Sequence, residues 1–415
     1  MKVGIIGLGY VGLPLAVAFG EAGNDVVGID TKAGKIAALA EGRSDIDDVS
    51  GERLAALGEA FQPTSDPERL AECDALLICV PTPLANQREP DLTYIIEAST
   101  AIAKGLRKGQ LVALESTTYP GTTRERVLPI LEESGLGVGK DFFLAYSPER
   151  IDPGRTDEPF RATPKVVGGI TEACLERAAA LYREICDEVV EVSTPEAAEL
   201  TKLLENVFRS VNIALVNELA QLCERMEIDI WEVIDAAATK PYGFMRFEPG
   251  PGMGGHCLPV DPFYLAFKAR EHDFYTEFVE LAGKINQNQP LFCVRRMARA
   301  LNAVGKPMKD ASILLLGVAY KAGLGDLREA PALKIARLAR EAGAQVSYHD
   351  SYVPELPELE LSSVDLDEAL TSADLVAIVT AHPGVDYERV VDEAALVVDF
   401  RGVTRGIEAS NLVRL

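Results

Sequence analysis

Short apolar runs that end in polar or glycine-rich turns recur along the chain, and segments with helical periodicity separate them. The apolar run "KVGIIG" at residues 2–7 leads into such a segment, and "DVVGID" at residues 25–30 follows it. The runs "CDALLICVPTP" at 73–83 and "GQLVALESTTYPGTT" at 109–123 have the same form. Alternating strands and helices predict a parallel, doubly wound α/β sheet.

The C-terminal part of the chain repeats this order with "ASILLLGVAYKAG", "QVSYHD", "ADLVAIVTAHP" and "AALVVDFRG". The segment "FGEAGNDVVGID" matches "AREAGAQVSYHD" in its helix end, its glycine cap and its terminal aspartate. We therefore predict two Rossmann-like domains related by an internal repeat, at residues 1–194 and 301–415. Residues 195–300 form a helical region between them.

A helical stretch is predicted from about residue 195 to 240, and no Gly or Pro interrupts it from Glu199 to Leu222. Its apolar residues recur at helical spacing: Leu200, Leu203, Leu204, Val207, Phe208, Val211, Leu215, Leu219 and Leu222. Two interpretations of this stripe remain open, that it is mostly core and that it packs against a second subunit. We predict a homodimer or higher homo-oligomer built on this helix.

Composition narrows the class of protein. The 415 residues carry a net charge of −23, which disfavours binding to nucleic acid or to an anionic membrane. No apolar run has the length of a membrane span and no signal-peptide pattern opens the sequence, so we expect a cytoplasmic protein. The seven cysteines form no CxxC pair, and most are expected to be buried packing residues. The histidines are scattered, so no metal site is predicted.

A dinucleotide fingerprint opens the sequence. Gly7, Gly9 and Gly12 form GxGxxG between a strand and a helix, and Asp30 ends the next strand. The glycines let backbone amides approach a pyrophosphate, and the aspartate favours the adenosine ribose of NAD over the 2′-phosphate of NADP. We predict NAD as cofactor. Further expected cofactor contacts are Tyr10, Val11 and Lys35.

Hydroxyl side chains follow two other predicted strands. Thr82, Ser116 and Thr117 lie at strand exits, where such sheets bind ligands, and are candidate cofactor or water contacts. Ordinary turn chemistry is the alternative for each. In the C-terminal turn "GVAYKAG", Tyr320 and Lys321 replace small residues, so this half is expected to bind another ligand, with Lys321 near a phosphate.

The segment "GPGMGGHCLPVDP" at 250–262 places Cys257 in a glycine-rich loop, next to His256 and four residues before Asp261. In the long helix, Lys202 and Asn206 share a face. Glu149 and Arg150 follow another predicted strand. A thiol, an amine, an amide and a carboxylate suit oxidation of an alcohol followed by covalent capture. The alternatives are a packed loop cysteine and a solvated helix face.

These motifs resemble the nucleotide-sugar 6-dehydrogenase family, which includes UDP-glucose and GDP-mannose dehydrogenases. The resemblance spans the whole chain and rests on "GLGYVGLPLA", "VPTP", "ESTTYPGTT", "YSPER", "LTKLLENVFRSVNIALVNELA", "GPGMGGHCLPVDPFYL" and "GVAYKAGLGDLREAP". It implies that the C6 alcohol of a nucleotide sugar is oxidised twice, with two NAD and one water, to give a uronate. The 1–194 domain then binds NAD, the 195–300 region carries the catalytic cysteine, and the 301–415 domain binds the UDP-sugar.

The resemblance also implies a role for individual residues. Cys257 matches the nucleophile that forms a thiohemiacetal and then a thioester, and Asp261 matches an aspartate that helps activate water. Lys202 matches a lysine that stabilises oxyanions, with Asn206 beside it. Glu149 matches the proposed base in thioester hydrolysis. The remaining matches are Thr117 to a water-positioning threonine, Lys321 to a lysine near the substrate, and Arg328 to an arginine near NAD; the expected substrate contacts are Glu149, Arg150, Lys202, Asn206, Arg246, Gly254 and Lys321.

Departures from the UDP-glucose pattern favour an N-acetylated sugar. Val260 stands where UDP-glucose enzymes usually have lysine, Pro153 where they have a second glutamate, and Arg150 where they have an aromatic residue. Arg246 stands where the N-acetylated branch commonly has proline, and it has two interpretations, contact with a neighbouring subunit's substrate or a surface position. The "GLGD" turn also departs from the family pattern. We expect a UDP-N-acetylglucosamine 6-dehydrogenase that serves surface-polysaccharide synthesis. UDP-N-acetylmannosamine and UDP-glucose are the alternative substrates, and a non-catalytic NAD-binding regulatory module is the alternative class.

Overall fold

The computed structural model describes residues 1–46, 48–84, 90–150, 160–255 and 261–415. The chain divides into two compact units. The first comprises residues 1–205 and 263–275, and the second comprises residues 206–262 and 276–415. Among the described residues, no helix is both long enough and apolar enough to cross a lipid bilayer.

The described part of the first unit contains an eight-stranded sheet in the order β3-β2-β1-β4-β5-β6-β7-β8. The strands are β1 Lys2–Ile6, β2 Asp25–Ile29, β3 Phe61–Thr64, β4 Ala75–Ile78, β5 Leu111–Leu114, β6 Phe143–Tyr146, β7 Lys165–Gly169 and β8 Val189–Val192. The first six are parallel in the Rossmann order. β7 pairs with β6 antiparallel. The predicted all-parallel sheet therefore holds for β1 to β6 and changes direction at β7.

Helices flank this sheet. They are α1 Gly12–Glu21, α2 Ala33–Ala40, α3 Gly51–Leu57, α4 Thr93–Gly105, α5 Leu128–Glu132 and α6 Glu172–Tyr182, and a π-helical turn at Thr123–Val127 precedes α5. β1, β4 and β5 are apolar nearly throughout because the sheet interior is covered on both faces. Val3, Leu13, Leu77 and Tyr182 belong to the resulting core.

The predicted central helical stretch forms two helices, α7 Pro195–Met226 and α8 Ile230–Ala238. Glu227 has a φ of 57° and ends α7. The Asp229 side chain accepts a hydrogen bond from the backbone N–H of Trp231 and begins α8. Two further helices follow, α9 Asp261–Arg270 and α10 Glu277–Ala303.

The expectation that the apolar stripe of α7 is mostly core is wrong for the single chain. Leu203 and Val207 are buried. The other face of α7 carries large apolar side chains that are exposed at intervals of three, four or seven residues, as in a helix–helix seam: Leu200, Leu204, Phe208, Leu215, Leu219, Leu222 and Met226. The helix therefore has one apolar face in the core and a second one in solvent.

The second unit contains a five-stranded sheet of parallel strands in the order β10-β9-β13-β14-β15. The strands are β9 Ser312–Leu316, β10 Gln345–His349, β13 Leu375–Ile378, β14 Val397–Asp399 and β15 Leu412–Arg414, and β11 Glu355–Leu356 pairs with β12 Leu361–Ser362 as a small hairpin. Its helices are α11 Pro331–Glu341, α12 Leu366–Ser372 and α13 Tyr387–Glu393.

The predicted internal repeat is visible in the backbone of the two strand–turn–helix units. Gly7 and Gly317 end β1 and β9 with positive φ angles of 91° and 78°. The N–H of Gly7 donates to the carbonyl of Ile29, and the N–H of Gly317 donates to the carbonyl of His349, each on the neighbouring strand. The two turns thus share a glycine with positive φ and the same hydrogen bond to the neighbouring strand.

Most cysteines are packing residues, as predicted. Cys73, Cys79, Cys174, Cys186 and Cys293 are buried, and Cys223 is partly buried. Burial raises the pKa of Cys79 and of Cys293 well above the ordinary range, which disfavours their thiolate forms.

Candidate functional site

The turn after β1 requires its glycines. A side chain at Gly7 would place its Cβ 2.6 Å from the carbonyl oxygen of Cys79, and one at Gly12 would lie 1.8 Å from the carbonyl oxygen of Gly7. α1 begins at Gly12, and no acidic residue lies in its first turn. The positive dipole end of α1 suits a pyrophosphate, so the turn fits the nucleotide that the sequence predicts.

Asp30 lies against this turn. One of its carboxylate oxygens accepts the N–H of Leu8 (3.1 Å), and the other accepts the N–H of Lys32 (3.0 Å). A carboxylate fixed in this way has lone pairs left for the two hydroxyls of a ribose. Lys35, a predicted cofactor contact, forms an ion pair with Asp45 (2.8 Å).

The other two residues that we predicted in this turn differ in exposure. Tyr10 is 37% exposed, whereas Val11 packs against the apolar core of the first unit. The cofactor contacts of Tyr10 and Val11 stay predictions.

The predicted hydroxyl residues join the ends of β4 and β5. The Thr82 hydroxyl donates to the carbonyl of Thr117 (2.8 Å), and the Ser116 hydroxyl donates to the carbonyl of Val80 (2.7 Å). Thr82 and Ser116 are buried. These two hydroxyls thus link the strand ends, and Thr117 is half-buried beside them. Their contacts with a cofactor or a water stay predictions.

A buried glutamate that we did not single out fixes the loop after Thr117. Glu199, in the second turn of α7, accepts hydrogen bonds from the N–H of Gly121 (2.6 Å) and from the N–H and hydroxyl of Thr123 (2.9 and 2.7 Å). Burial raises its pKa to about 7, against the opposing effect of these hydrogen bonds. In the sequence it is one of several charged residues at the start of this helix, and no motif marks it.

Glu149 lies three residues after β6 and is nearly buried. One carboxylate oxygen accepts the N–H of Arg150 (2.7 Å), and the other faces the ammonium of Lys165 (3.6 Å). The Arg150 guanidinium donates to the carbonyl of Pro164 (2.6 Å) and pairs with Glu205 (2.8 Å). Arg150 is thus held by the first unit itself.

The second unit brings two predicted catalytic residues together. The Asn206 amide donates to the Asp261 carboxylate at 2.5 Å, and both side chains are buried. Asp261 is the first residue of α9. Lys202, one turn before Asn206 in α7, is half-buried and belongs to the first unit. Cys257, His256 and Val260 lie outside the described residues, as does Pro153.

The glycines before Cys257 approach the protein's own chain. A side chain at Gly254 would lie 2.7 Å from the Cβ of Tyr320 and 2.9 Å from the carbonyl of Glu329. Gly255, with a φ of 96°, donates its N–H to the carbonyl of Arg328 (2.9 Å). The loop that leads to Cys257 is thus seated on the segment that carries Lys321 and Arg328.

A cavity of about 780 Å³ opens in the second unit at the ends of β9, β13 and β14. Its volume is in the range of small-ligand sites. Lys321, Arg401 and Arg405 line it, together with the rings of Tyr320, His382 and Tyr387. Three cations and several aromatic rings suit a nucleoside diphosphate. The sequence singled out only Lys321; the strand exit "VVDFRG" was the available signal for Arg401.

Asp350, which follows β10 as Asp30 follows β2, has a different role. Asp350 is buried and accepts the N–H groups of Val318 and Ala319 (2.7 and 3.1 Å) and the Nε2–H of His382 (2.9 Å). The other His382 nitrogen, Nδ1, accepts the N–H of Gly323 (3.1 Å). Burial opposes the charge of Asp350, but these donors outweigh it and lower the pKa. Asp350 therefore holds the Lys321 turn and has no free face for a ribose.

Two predicted arginines have local acidic partners. Arg246 pairs with Asp235 (2.7 Å) and Glu248 (3.1 Å), and about a third of its side chain is exposed. Arg328 pairs with Asp326, two residues earlier in the same turn. Both guanidiniums are therefore oriented by the second unit.

Comparison with known proteins identifies the relatives of this chain. Residues 1–186 match the NAD binding domain of the UDP-glucose/GDP-mannose dehydrogenase family, residues 196–288 match its central domain, and residues 314–406 match its UDP binding domain. The chain belongs to this family. It is an NAD-dependent nucleotide-sugar dehydrogenase, and the turn at Gly7–Gly12 lies within its NAD-binding segment.

Individual relatives cover most of the chain. A UDP-N-acetyl-D-glucosamine 6-dehydrogenase of Pseudomonas aeruginosa is 39% identical over 85% of this chain and 83% of its own length. A UDP-N-acetyl-D-mannosamine dehydrogenase of Pyrococcus horikoshii is 34% identical over 98% of this chain and 100% of its own. A solved structure of UDP-D-ManNAc dehydrogenase from P. horikoshii superimposes with a TM-score of 0.92 at 33% identity, over 100% of this chain and 99% of that one.

Proposed function

We propose that this dehydrogenase oxidises the C6 alcohol of a UDP-N-acetylhexosamine, UDP-N-acetylglucosamine first among them, to the uronate in a four-electron reaction. The observation that carries the proposal is the buried Asn206–Asp261 pair, in a chain with NAD-binding and UDP-binding segments. Asp261 lies four residues after Cys257 in the sequence. The uronate suits use in surface-polysaccharide synthesis.

The chain's own residues divide the chemistry as follows. The turn at Gly7–Gly12 would hold NAD, which would supply the hydride acceptor for each oxidation. The first oxidation converts the C6 alcohol to the aldehyde. The Cys257 thiolate adds to this aldehyde to give a thiohemiacetal, and the second oxidation converts the thiohemiacetal to a thioester. Lys202 stabilises the oxyanion that forms at each addition. Water then attacks the thioester carbon, its proton passes to Glu149, and the C–S bond breaks to release the Cys257 thiolate and the uronate.

Asp261 and Asn206 are proposed to position the water and the sugar oxygen near Cys257. The amide donates to one carboxylate oxygen of Asp261, which fixes the direction in which the other oxygen points. Thr117 is proposed to position a water. The cavity that contains Lys321, Arg401 and Arg405 is proposed to hold the UDP group, since arginine and lysine suit a diphosphate.

UDP-N-acetylmannosamine is the second candidate substrate. Relatives named for it match nearly the full length of this chain, and a solved structure of one has the TM-score of 0.92 given above. The two sugars differ in the configuration at C2, away from the reacting C6. Substrate choice is therefore decided by side chains around the acetamido group and not by the catalytic set.

We also propose a homodimer that covers the exposed apolar face of α7. Seven large side chains spaced as in a helix seam are more apolar surface than isolated exposed residues supply. A second copy of the same helix offers a complementary surface.

The test is a screen of NADH release with UDP-N-acetylglucosamine, UDP-N-acetylmannosamine, UDP-N-acetylgalactosamine and UDP-glucose. We expect turnover with an N-acetylated sugar and about two NADH per uronate. One NADH per product would contradict the thioester route. Cys257→Ser should stop after the aldehyde or accumulate an adduct, whereas Cys223→Ser, at a partly buried position in α7, is the matched control and should turn over normally.

A further inference from the structure

Four ionisable side chains meet beneath the end of β6 in the first unit. The Lys165 ammonium lies 2.6 Å from one carboxylate oxygen of Glu115 and 3.6 Å from one of Glu149. The Tyr182 hydroxyl donates to the other oxygen of Glu115, and the Lys165 ammonium lies 5.3 Å from the centroid of the Tyr182 ring. Lys165, Glu115 and Tyr182 are almost completely removed from solvent.

The antiparallel pairing of β6 and β7 creates this cluster. Ala145 pairs with Gly169 and Tyr146 with Gly168. The same register, continued past the end of β6, sets Lys165 opposite Glu149. A parallel β7 would have carried its first residue to the other end of the sheet. The reversal in strand direction thus delivers a cation to Glu149.

The charges of the cluster are unequal, with one cation between two carboxylates. Burial opposes the charge of Lys165, but the two glutamates outweigh it and raise its pKa, so the ammonium stays protonated. Burial also raises the pKa of Glu115, against the effect of Lys165. The other titratable groups here, Tyr182, Cys79 and Cys186, have pKa values that burial raises, so they are neutral near pH 7.

We propose that Lys165 is a positioning residue for thioester hydrolysis, which holds the Glu149 carboxylate in place and sets a positive charge beside it while it accepts the proton of the attacking water. Nothing in the contacts of Glu115 requires Lys165 to face Glu149 as well. The ammonium is nonetheless placed between the two carboxylates, and the N–H of Arg150 fixes the second Glu149 oxygen. The inference rests on the proposed function, in which Glu149 is the base.

Glu115 tunes this effect in the opposite direction. It competes for the ammonium of Lys165, and its own negative charge disfavours a second charge on Glu149. Removing Glu115 should therefore favour the ionised form of Glu149, and removing Lys165 should disfavour it. A merely structural Lys165–Glu115 pair predicts loss of stability from both changes and no change in a pH profile.

The experiment follows hydrolysis of the enzyme thioester against pH in single turnovers, with the UDP-sugar that gives the fastest NADH release. The acid limb of the pH profile is the range in which the hydrolysis rate falls as the pH is lowered. Lys165→Met should shift this limb to higher pH by about one unit or more. This slows hydrolysis about tenfold at a pH on that limb, while the burst of two NADH per site is retained. Lys165→Arg should restore the wild-type limb, and Glu115→Gln should move the limb to lower pH.

Lys108 supplies the matched control, because it forms an ion pair with Asp141 (3.0 Å) at an exposed position of the same unit. Lys108→Met should leave the limb unchanged. An unshifted limb in Lys165→Met, with or without a uniformly lower rate, overturns the proposal. If Lys165→Met does not fold, Glu115→Gln decides, and a limb that stays in place or rises overturns it. Absence of NADH from the wild-type enzyme with every UDP-sugar refutes the proposed function instead.

Discussion

Gly9 and Gly12 both lie in the turn after β1, which we call the NAD turn. We expect glycine to be required for folding at Gly12 and for binding NAD at Gly9. At Gly12 an added Cβ would lie 1.8 Å from the carbonyl oxygen of Gly7, so the backbone itself must move. Such overpacking costs about 3 kcal/mol or more. For a unit of this size, that lowers the midpoint of thermal unfolding by about 6–12 °C. At Gly9 an added Cβ meets no atom within 4 Å, and φ is not positive.

Gly9→Ala should therefore change stability by less than about 1 kcal/mol. The added methyl group occupies the space in which the GxGxxG backbone approaches the pyrophosphate. We expect NAD binding to weaken at least about tenfold, roughly 1.4 kcal/mol. Thermal scans and calorimetric titration with NAD measure the two effects separately. Wild-type NAD affinity in Gly9→Ala refutes the assigned turn, and a wild-type unfolding midpoint in Gly12→Ala refutes the steric argument.

Three further variants test other parts of the molecule. Asp30→Ala should weaken NAD about tenfold or more and NADP much less, so an unchanged ratio of the two dissociation constants would remove its ribose role. Glu199 has a folded pKa of about 7 against about 4.5 when unfolded. Its contribution to stability is full below pH 4.5 and is lost as the pH rises through 7. Relative to Glu199→Gln, the wild-type free energy of unfolding, measured with urea, should rise by roughly 3 kcal/mol when the pH is lowered from 8 to 4.5. A difference in unfolding free energy between the two proteins that does not change with pH counts against the raised pKa. Leu204→Glu, on the exposed face of α7, should yield monomers in sedimentation at micromolar concentration, whereas Val304→Glu, at the exposed end of α10, should not; a monomeric wild type would contradict the dimer.

The elements that sequence predicts here are those specified within a few residues. "KVGIIG" and "DVVGID" are buried strands because their apolar runs are short and end in turn residues. Gly7 and Asp30 mark the NAD turn because positive φ and a strand-end carboxylate are local requirements. The family resemblance adds roles for Cys257 and Val260, which stay predictions because these residues lie outside the described part.

Other features depend on which distant segments become neighbours. At Thr82 and Ser116 the sequence favours turn chemistry over ligand contact for each residue taken alone, and only the structure shows the carbonyl groups of other strand ends that their hydroxyls contact. The stripe on α7 contains apolar residues of two faces, one buried and one exposed, and periodicity alone does not separate them when both faces are apolar.

The sequence by itself determined the alternation of strands and helices, the NAD turn and the family. The tertiary structure decided that β7 runs antiparallel to β6 and that Lys165 therefore meets both Glu115 and Glu149. The direction of a strand in a mixed sheet depends on how the whole chain packs and leaves no signal in a five-residue run. The charge state of a buried carboxylate depends in turn on such distant neighbours, because water no longer screens them.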